Sequence, residues 1–407
     1  MKRTITILTI ALVGLSACTE TNLAPDQLRK DRQIRFITAP VKTTGTRADY
    51  VTTTDFDKSQ TFGTAAFQLA DSKNWKDNAA DATVISDING KTVSYDNTAK
   101  VWKISNESYF WDDYEGYKLN FLSWSPASLC SGYTAGSAST ATGLTITDAH
   151  DFSYTGWTMS ATPGYGYTKD ATTGEYSRNT TDGSIDLLLA KSTDCTEDNS
   201  ASGVLTRFVH QLCNVRVFAT IMDDPGSTKW EITKVELSDI YTKGNLLKAA
   251  TVNDSSTATA EDPLYNTQIW GGHSDAATYT YTPAEAIELK YTTPTATEVE
   301  IFPKTLMLPQ SVLTVQSTSS SSTTRSPKIT VTCKCTETDS SGSETTSTKT
   351  LYGVLASNRT TDLTTWLAGQ SIIYHIYIST VDYWIDFDAS SSTWDNGDAP
   401  ADIIIGN

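Results

Sequence analysis

Histidine is scarce in this chain, with 4 in 407 residues, and no two lie close together. His210 and His375 fall in apolar alternating runs, where a lone imidazole is usually packed or hydrogen-bonded. Cysteine is also sparse, with 6 in all, and no pair has C-x-x-C spacing. That removes the common zinc arrangements. Cys130, Cys195, Cys213, Cys333 and Cys335 read as structural. The last two lie at i and i+2 in "KITVTCKC", so a strand turns both to one face as small apolar residues. Basic residues are outnumbered, 31 against 47 acidic, for a net charge of −16. Nucleic acid is excluded as a partner, since phosphate binding needs a basic face. The sequence has no G-x-G-x-x-G, no phosphate-binding loop, no H-E-x-x-H and no G-x-S-x-G. Carboxylates are too plentiful for any pair to single out glycoside hydrolysis. The acidic turns "WDDYEG" and "WDNGD" lack the spacing of a calcium loop. The expectation is a protein that is not an enzyme, with no cofactor and no metal. Also missing is any long helical stripe, and no apolar run is long enough to span a bilayer.

What the chain does have is strand-building residues. There are 10 Trp and 19 Tyr beside abundant Thr, Val and Ile. Short runs of period two recur between polar turns: "QIRFITAPV", "TVSYDN" with "AKVWKISN" as a hairpin, "YKLNFLSWSP", "SIDLLLAKS", "KWEITKVELSDIY", "KITVTCKC" and "SIIYHIYIS". This predicts an all-β fold of sandwich domains. The stretch 131–182, rich in Ser, Thr, Gly and Tyr, reads as an insertion. The polar run Leu246–Asn266 is the best domain boundary.

The first residues, "MKRTITILTIALVGLSAC", join a basic head to a short apolar run and then small residues, the pattern of a secretory signal peptide. "LSAC", Leu15 to Cys18, resembles a bacterial lipobox, which implies lipidation of Cys18 and anchoring to a membrane without a transmembrane helix.

The motifs also come in an order. After the lipobox come an early strand and "TRA", then "DLLLA", "FVHQLCNVRV", "LMLPQS" and "WLAGQSIIYHIYIS". This ordered set resembles the fimbrillin family, the type V pilins of Gram-negative gut and oral bacteria, from Cys18 to about Thr380. It departs from the common pattern at Asn214, where a lysine often stands. The resemblance implies two transthyretin-like β-sandwich domains in tandem. It divides the chain into a lipoprotein signal peptide (1–17), a lipidated segment with a removable first strand (18–47), an N-terminal sandwich (48–250) and a C-terminal sandwich (251–407). It further implies an exported outer-membrane lipoprotein precursor, cut by a processing protease between Arg47 and Ala48. The first strand then leaves, and a strand from another fimbrial subunit replaces it.

Residues suited to that route are present. Ile34 and Phe36 share one face of the candidate removable strand. Arg47 lies beyond it in "KTTGTRADYV", a polar stretch of the kind proteases cut. Donor-strand candidates are Tyr383, Ile385 and Phe387 in "DYWIDFD", and Ile403, Ile404 and Ile405 in "ADIIIGN". A blander reading stands beside each: a permanent first strand, a tether at Arg47, and C-terminal runs paired in their own chain. The alternative function is a stand-alone surface lipoprotein binding glycans or host ligands through Trp111, Tyr114, Tyr117, Tyr154 and Trp157.

Overall fold

The structure, a computed structural model, describes residues 32–38, 56, 58–136, 142–178, 185–249, 269–291, 298–313, 325–356, 363–381 and 385–393. Cys18, Arg47, Ala48, Tyr383, Ile403, Ile404 and Ile405 lie outside the described residues, and for Phe387 only the backbone is described.

The strands follow in chain order. The first eight are β1 (Phe36–Thr38), β2 (Thr61–Ala70), β3 (Thr83–Val84), β4 (Lys91–Asp96), β5 (Val101–Ile104), β6 (Tyr117–Ser125), β7 (Gly143–Ile146) and β8 (Phe152–Thr158). Next come β9 (Tyr167–Lys169), β10 (Tyr176–Arg178), β11 (Leu188–Cys195), β12 (Val204–Thr206), β13 (Val209–His210), β14 (Cys213–Ile221) and β15 (Thr228–Leu246). The last are β16 (Trp270–Tyr281), β17 (Ile287–Leu289), β18 (Val299–Met307), β19 (Lys328–Thr338), β20 (Glu344–Val354), β21 (Gln370–Ile378) and β22 (Ile385–Thr393). The fold is all-β. The described helix, Trp75–Asn78, is a single turn capped by the Asn74 side chain.

Strand order in the N-terminal sheet is β12-β1-β5-β4-β2-β6-β11-β13, with β3 beside β2. Its central strands are buried on both faces. On β6, Leu119 and Phe121 enter one core while Leu122 and Trp124 enter another. On β2, Phe62 and Ala66 share the first core, and Ala65, Phe67 and Leu69 the second. Two-sided burial explains why "DLLLA" reads as an unbroken apolar run: Leu188 and Ala190 face one core, Leu187 and Leu189 the other. The sheet curls so that β12, at one end, lies against β11, with Ser192 Oγ donating to Leu205 O at 2.8 Å.

A four-stranded sheet, β18-β14-β21-β22, faces a seven-stranded one, β20-β19-β15-β8-β7 with β16 and β17 also on β15. Between them lies a core that includes Val215, Val217, Trp230, Ile232, Phe302, Val331, Trp366, Tyr374 and Ile376. Cys333 and Cys335 both face it. The period of β15 slips at Ile232/Lys234 and again at Leu237/Ile240. Each bulge shifts the alternation, so that Ile232, Val235, Leu237 and Ile240 all point inward.

The expected division at 250 does not follow the sheets. β14 and β15, both before it, pair with β18, β21, β16, β17 and β19, all after it. β15 is long enough to serve twice: residues 228–238 lie along β19, and Lys243–Leu246 along β8. The sheets divide between His210 and Cys213, apart from β7 and β8, which come from the first part of the chain and join the sheet of the second. The stretch 131–182 is also more ordered than its composition implies. β7 and β8 extend the C-terminal sheet. β9 and β10 form a hairpin fastened at Glu300, whose Oε1 accepts from Arg216 Nε (2.9 Å) and whose Oε2 accepts from Tyr176 OH (2.9 Å). A third core joins the two halves, with Phe67, Leu122, Trp124 and Leu189 on one side and Ile146, Phe152, Trp157 and Leu246 on the other.

Candidate functional site

Residues 32–38 form an inserted strip, not a sheet margin. Ile34 N donates to Tyr109 O at 2.8 Å, and Trp111 N donates to Arg32 O at 3.0 Å. Farther along, Val204 N donates to Arg35 O at 2.7 Å, and β1 runs parallel to β12. On its other side β1 meets β5 at one pair, Phe36↔Trp102. The strip thus lies between chain segments far away in sequence and has a short ladder on each side.

Side chains do most of the holding. Ile34 and Phe36 are each 2% exposed. The Phe36 ring makes edge contacts with Phe121 (5.3 Å) and Phe62 (5.8 Å). Phe62 meets Phe208 at 5.1 Å and Phe56 at 5.6 Å, so the pocket floor is a set of interlocked rings. On the side of β12 the approach is close. A Cβ on Gly203, whose φ is +126°, would sit 2.7 Å from Ile37 Cγ1 and 3.3 Å from Arg35 O. Only glycine meets both the backbone angle and the space.

At the start of the strip Arg32 lies between two carboxylates. Its Nε donates to Glu197 Oε1 at 2.6 Å, and the guanidinium also pairs with Glu197 Oε2 and Asp112. Gln33 Nε2 donates to Ser108 Oγ at 3.0 Å. The hydrogen bond from Arg32 holds the Glu197 carboxyl below the usual glutamate range. Because that pKa is lowered on folding, the pair stabilises fully above the ordinary glutamate value and is lost as pH falls through the lowered one. The Glu197 carboxyl is therefore expected to titrate below an ordinary glutamate in carbon-detected NMR and to move back up in Arg32→Ala. An unchanged titration in that variant would contradict the pairing.

The structure brings Ile34 and Phe36 together on one face, in the core of the N-terminal sheet. The C-terminal candidates are placed elsewhere. Ile385 and Phe387 lie in β22, which pairs along β21 with Ile378↔Ile385 and Ile376↔Phe387. They complete a sheet of their own chain, the blander reading left open by the sequence. The aromatic residues of the glycan alternative do not make a surface. Trp111 packs in the N-terminal core with Tyr114 against it, and Trp157 packs in the shared core with Tyr154 against it. Tyr117 is exposed, but the two groups serve different cores. Alternation alone explains this, since strand Trp and Tyr are the largest apolar payload a core can take.

Sequence reasoning missed Arg32, Glu197 and Gly203, and took Asp112 only as part of the acidic turn "WDDYEG". Arg32 shares parity with Ile34 and Phe36, and that was its one available signal. Its partners gave none, because Glu197 is 165 residues away.

No protein-family model matches the sequence, and no curated protein matches it. Among solved structures the chain is similar to a fimbrial protein from Bacteroides vulgatus, at 15% identity and a TM-score of 0.47. That match covers 89% of this chain and 99% of the other. The chain is also similar to the tip fimbrial protein Mfa3 from Porphyromonas gingivalis with C-terminal truncation, at 10% identity and a TM-score of 0.29. Coverage there is 82% of this chain and 95% of the other. Both of those chains are described as fimbrial proteins. At these scores the likeness is an outline, and the functional reading rests on the seat of residues 32–38.

Proposed function

We propose that this chain is a structural fimbrial subunit of the type V pilus kind, or an accessory or tip component, made as a lipoprotein precursor. A lipid on Cys18 holds the precursor at the outer membrane. A processing protease cuts between Arg47 and Ala48, residues 32–38 leave, and a strand from another subunit enters the vacated groove. The work of the protein is then assembly and adhesion at the cell surface.

One observation carries this reading: the first strand fills a slot between β12 and the segment from β5 to Trp111, joined to the rest by short ladders and two apolar side chains. Its loss would leave two unpaired strand edges beside a ring-lined pocket. Such an edge binds an added strand through main-chain hydrogen bonds, with side-chain pockets setting which strand is taken. Ile385 and Phe387 are paired in their own sheet, and the other donor candidates, Tyr383, Ile403, Ile404 and Ile405, lie outside the described residues. No comparable observation supports the glycan-binding alternative.

Cleavage of the purified chain after Arg47 is expected to convert monomer into higher-order assemblies, alone or with a partner subunit. Light scattering after chromatography reads the change. A trimmed chain that stays monomeric with every candidate subunit would refute the reading.

A further inference from the structure

The seat of residues 32–38 has three side-chain positions on one face, at i, i+2 and i+4. The second and third are apolar and closed, and they hold Ile34 and Phe36. The first is an acidic fork. Asp112 comes from the turn after residue 110, and Glu197 from the turn after β11. Both carboxylates reach the same guanidinium, that of Arg32. When the strip is gone the fork faces an empty slot with no counter-charge from Arg32. Any strand that takes the slot places a side chain between these two carboxylates.

The C-terminal end of this chain is poorly matched to that position. From Thr360 to Asn407 the sequence contains no lysine and no arginine, while it carries Asp362, Asp382, Asp386, Asp388, Asp395, Asp398 and Asp402. This holds whichever way a donor strand runs. A copy of "ADIIIGN" seated by Ile403 and Ile405 brings Ala401 or Asn407 to the fork, according to its direction, and one seated from Ile404 brings Asp402, so no cation meets the two carboxylates in any of these registers.

We propose, resting on the strand-exchange reading above, that the groove selects a donor strand with a lysine or arginine two positions from its first buried apolar side chain, so that its natural donor is a different subunit and not the C-terminal end of a second copy. The apolar pockets give affinity, and the acidic fork gives direction and choice. Because Arg32, Asp112 and Glu197 are partly exposed, the fork acts mainly on capture and is screened by salt.

The test uses the full chain with a site-specific protease sequence inserted after Arg47, cut so that the N-terminal fragment stays bound without a covalent link. Fluorescent peptides are then exchanged into it and followed by anisotropy. One spans residues 30–40, a second is the same peptide with Arg32→Glu, and a third spans residues 399–407. The first peptide is expected to bind about tenfold more tightly than the second at low salt, with the gap narrowing to about two- to threefold in 1 M salt. The third is expected to bind more weakly than the first. In a chain carrying Asp112→Asn with Glu197→Gln, the first two peptides should bind alike. Equal binding of the first two to the unmodified chain would overturn the charge selection and leave strand exchange standing, as would equal binding of the first and third. Failure of every peptide, the native one included, would overturn both.

Discussion

Phe36→Ala is expected to destabilise the N-terminal sheet by about 3–5 kcal/mol, the range for emptying a closed aromatic site. The ring is 2% exposed, its neighbours Phe62 and Phe121 are each fully buried, and Phe62 is held by the further rings of Phe56, Trp102 and Phe208. Such walls relax little, so most of the cavity would persist. Two edge-on ring contacts are lost as well, each about 0.5–1.5 kcal/mol beyond area burial. The ladder offers no compensation, because β1 spans three residues and meets β5 at one pair. In urea the midpoint should fall with an unchanged slope. By heat the single transition of the whole chain should drop by about 5 °C. A change below about 0.5 kcal/mol would mean that the first strand is not seated as described.

Trp124→Ala should have an effect of similar size, about 3–5 kcal/mol, but for a different reason. Trp124 is fully buried, its indole N–H donates to Ala127 O at 3.0 Å, and its ring meets Phe152 of β8 at 6.3 Å. Gly63 lies opposite it on β2, where a Cβ would come within 2.3 Å of the indole. The residue thus belongs to the core that joins the N-terminal sheet to the C-terminal sandwich. Its removal is expected to lower one cooperative transition of the whole chain. Calorimetry showing two transitions, with only the N-terminal one displaced, would contradict a shared core.

Period-two alternation made the strands legible, because each strand buries one face or two. The hairpin of "TVSYDN" and "AKVWKISN" is β4 and β5, paired from Val93↔Ile104 to Asp96↔Val101. The inward turn of Cys333 and Cys335 was legible for the same reason. What alternation does not encode is which strand pairs with which across long separations. The parallel pairs β1–β12 and β14–β21 join residues more than a hundred positions apart. β15 crosses two cores, so a polar stretch after it looked like a domain boundary when the sheets divide earlier. Polar composition hid β8, since its outward residues Ser153, Thr155 and Thr158 mask the buried Phe152 and Trp157. Of the candidate site, the apolar half was readable in Ile34 and Phe36. The acidic half was not, because a salt bridge between distant turns leaves no local pattern.

The most direct test is the N-terminus of the mature protein recovered from the surface of its native cells, read by mass spectrometry. A chain beginning at Ala48, with residues 32–38 gone, is the expected result. A chain beginning at lipidated Cys18, with the Arg47–Ala48 bond intact, would contradict it and make the first strand a permanent part of the sheet.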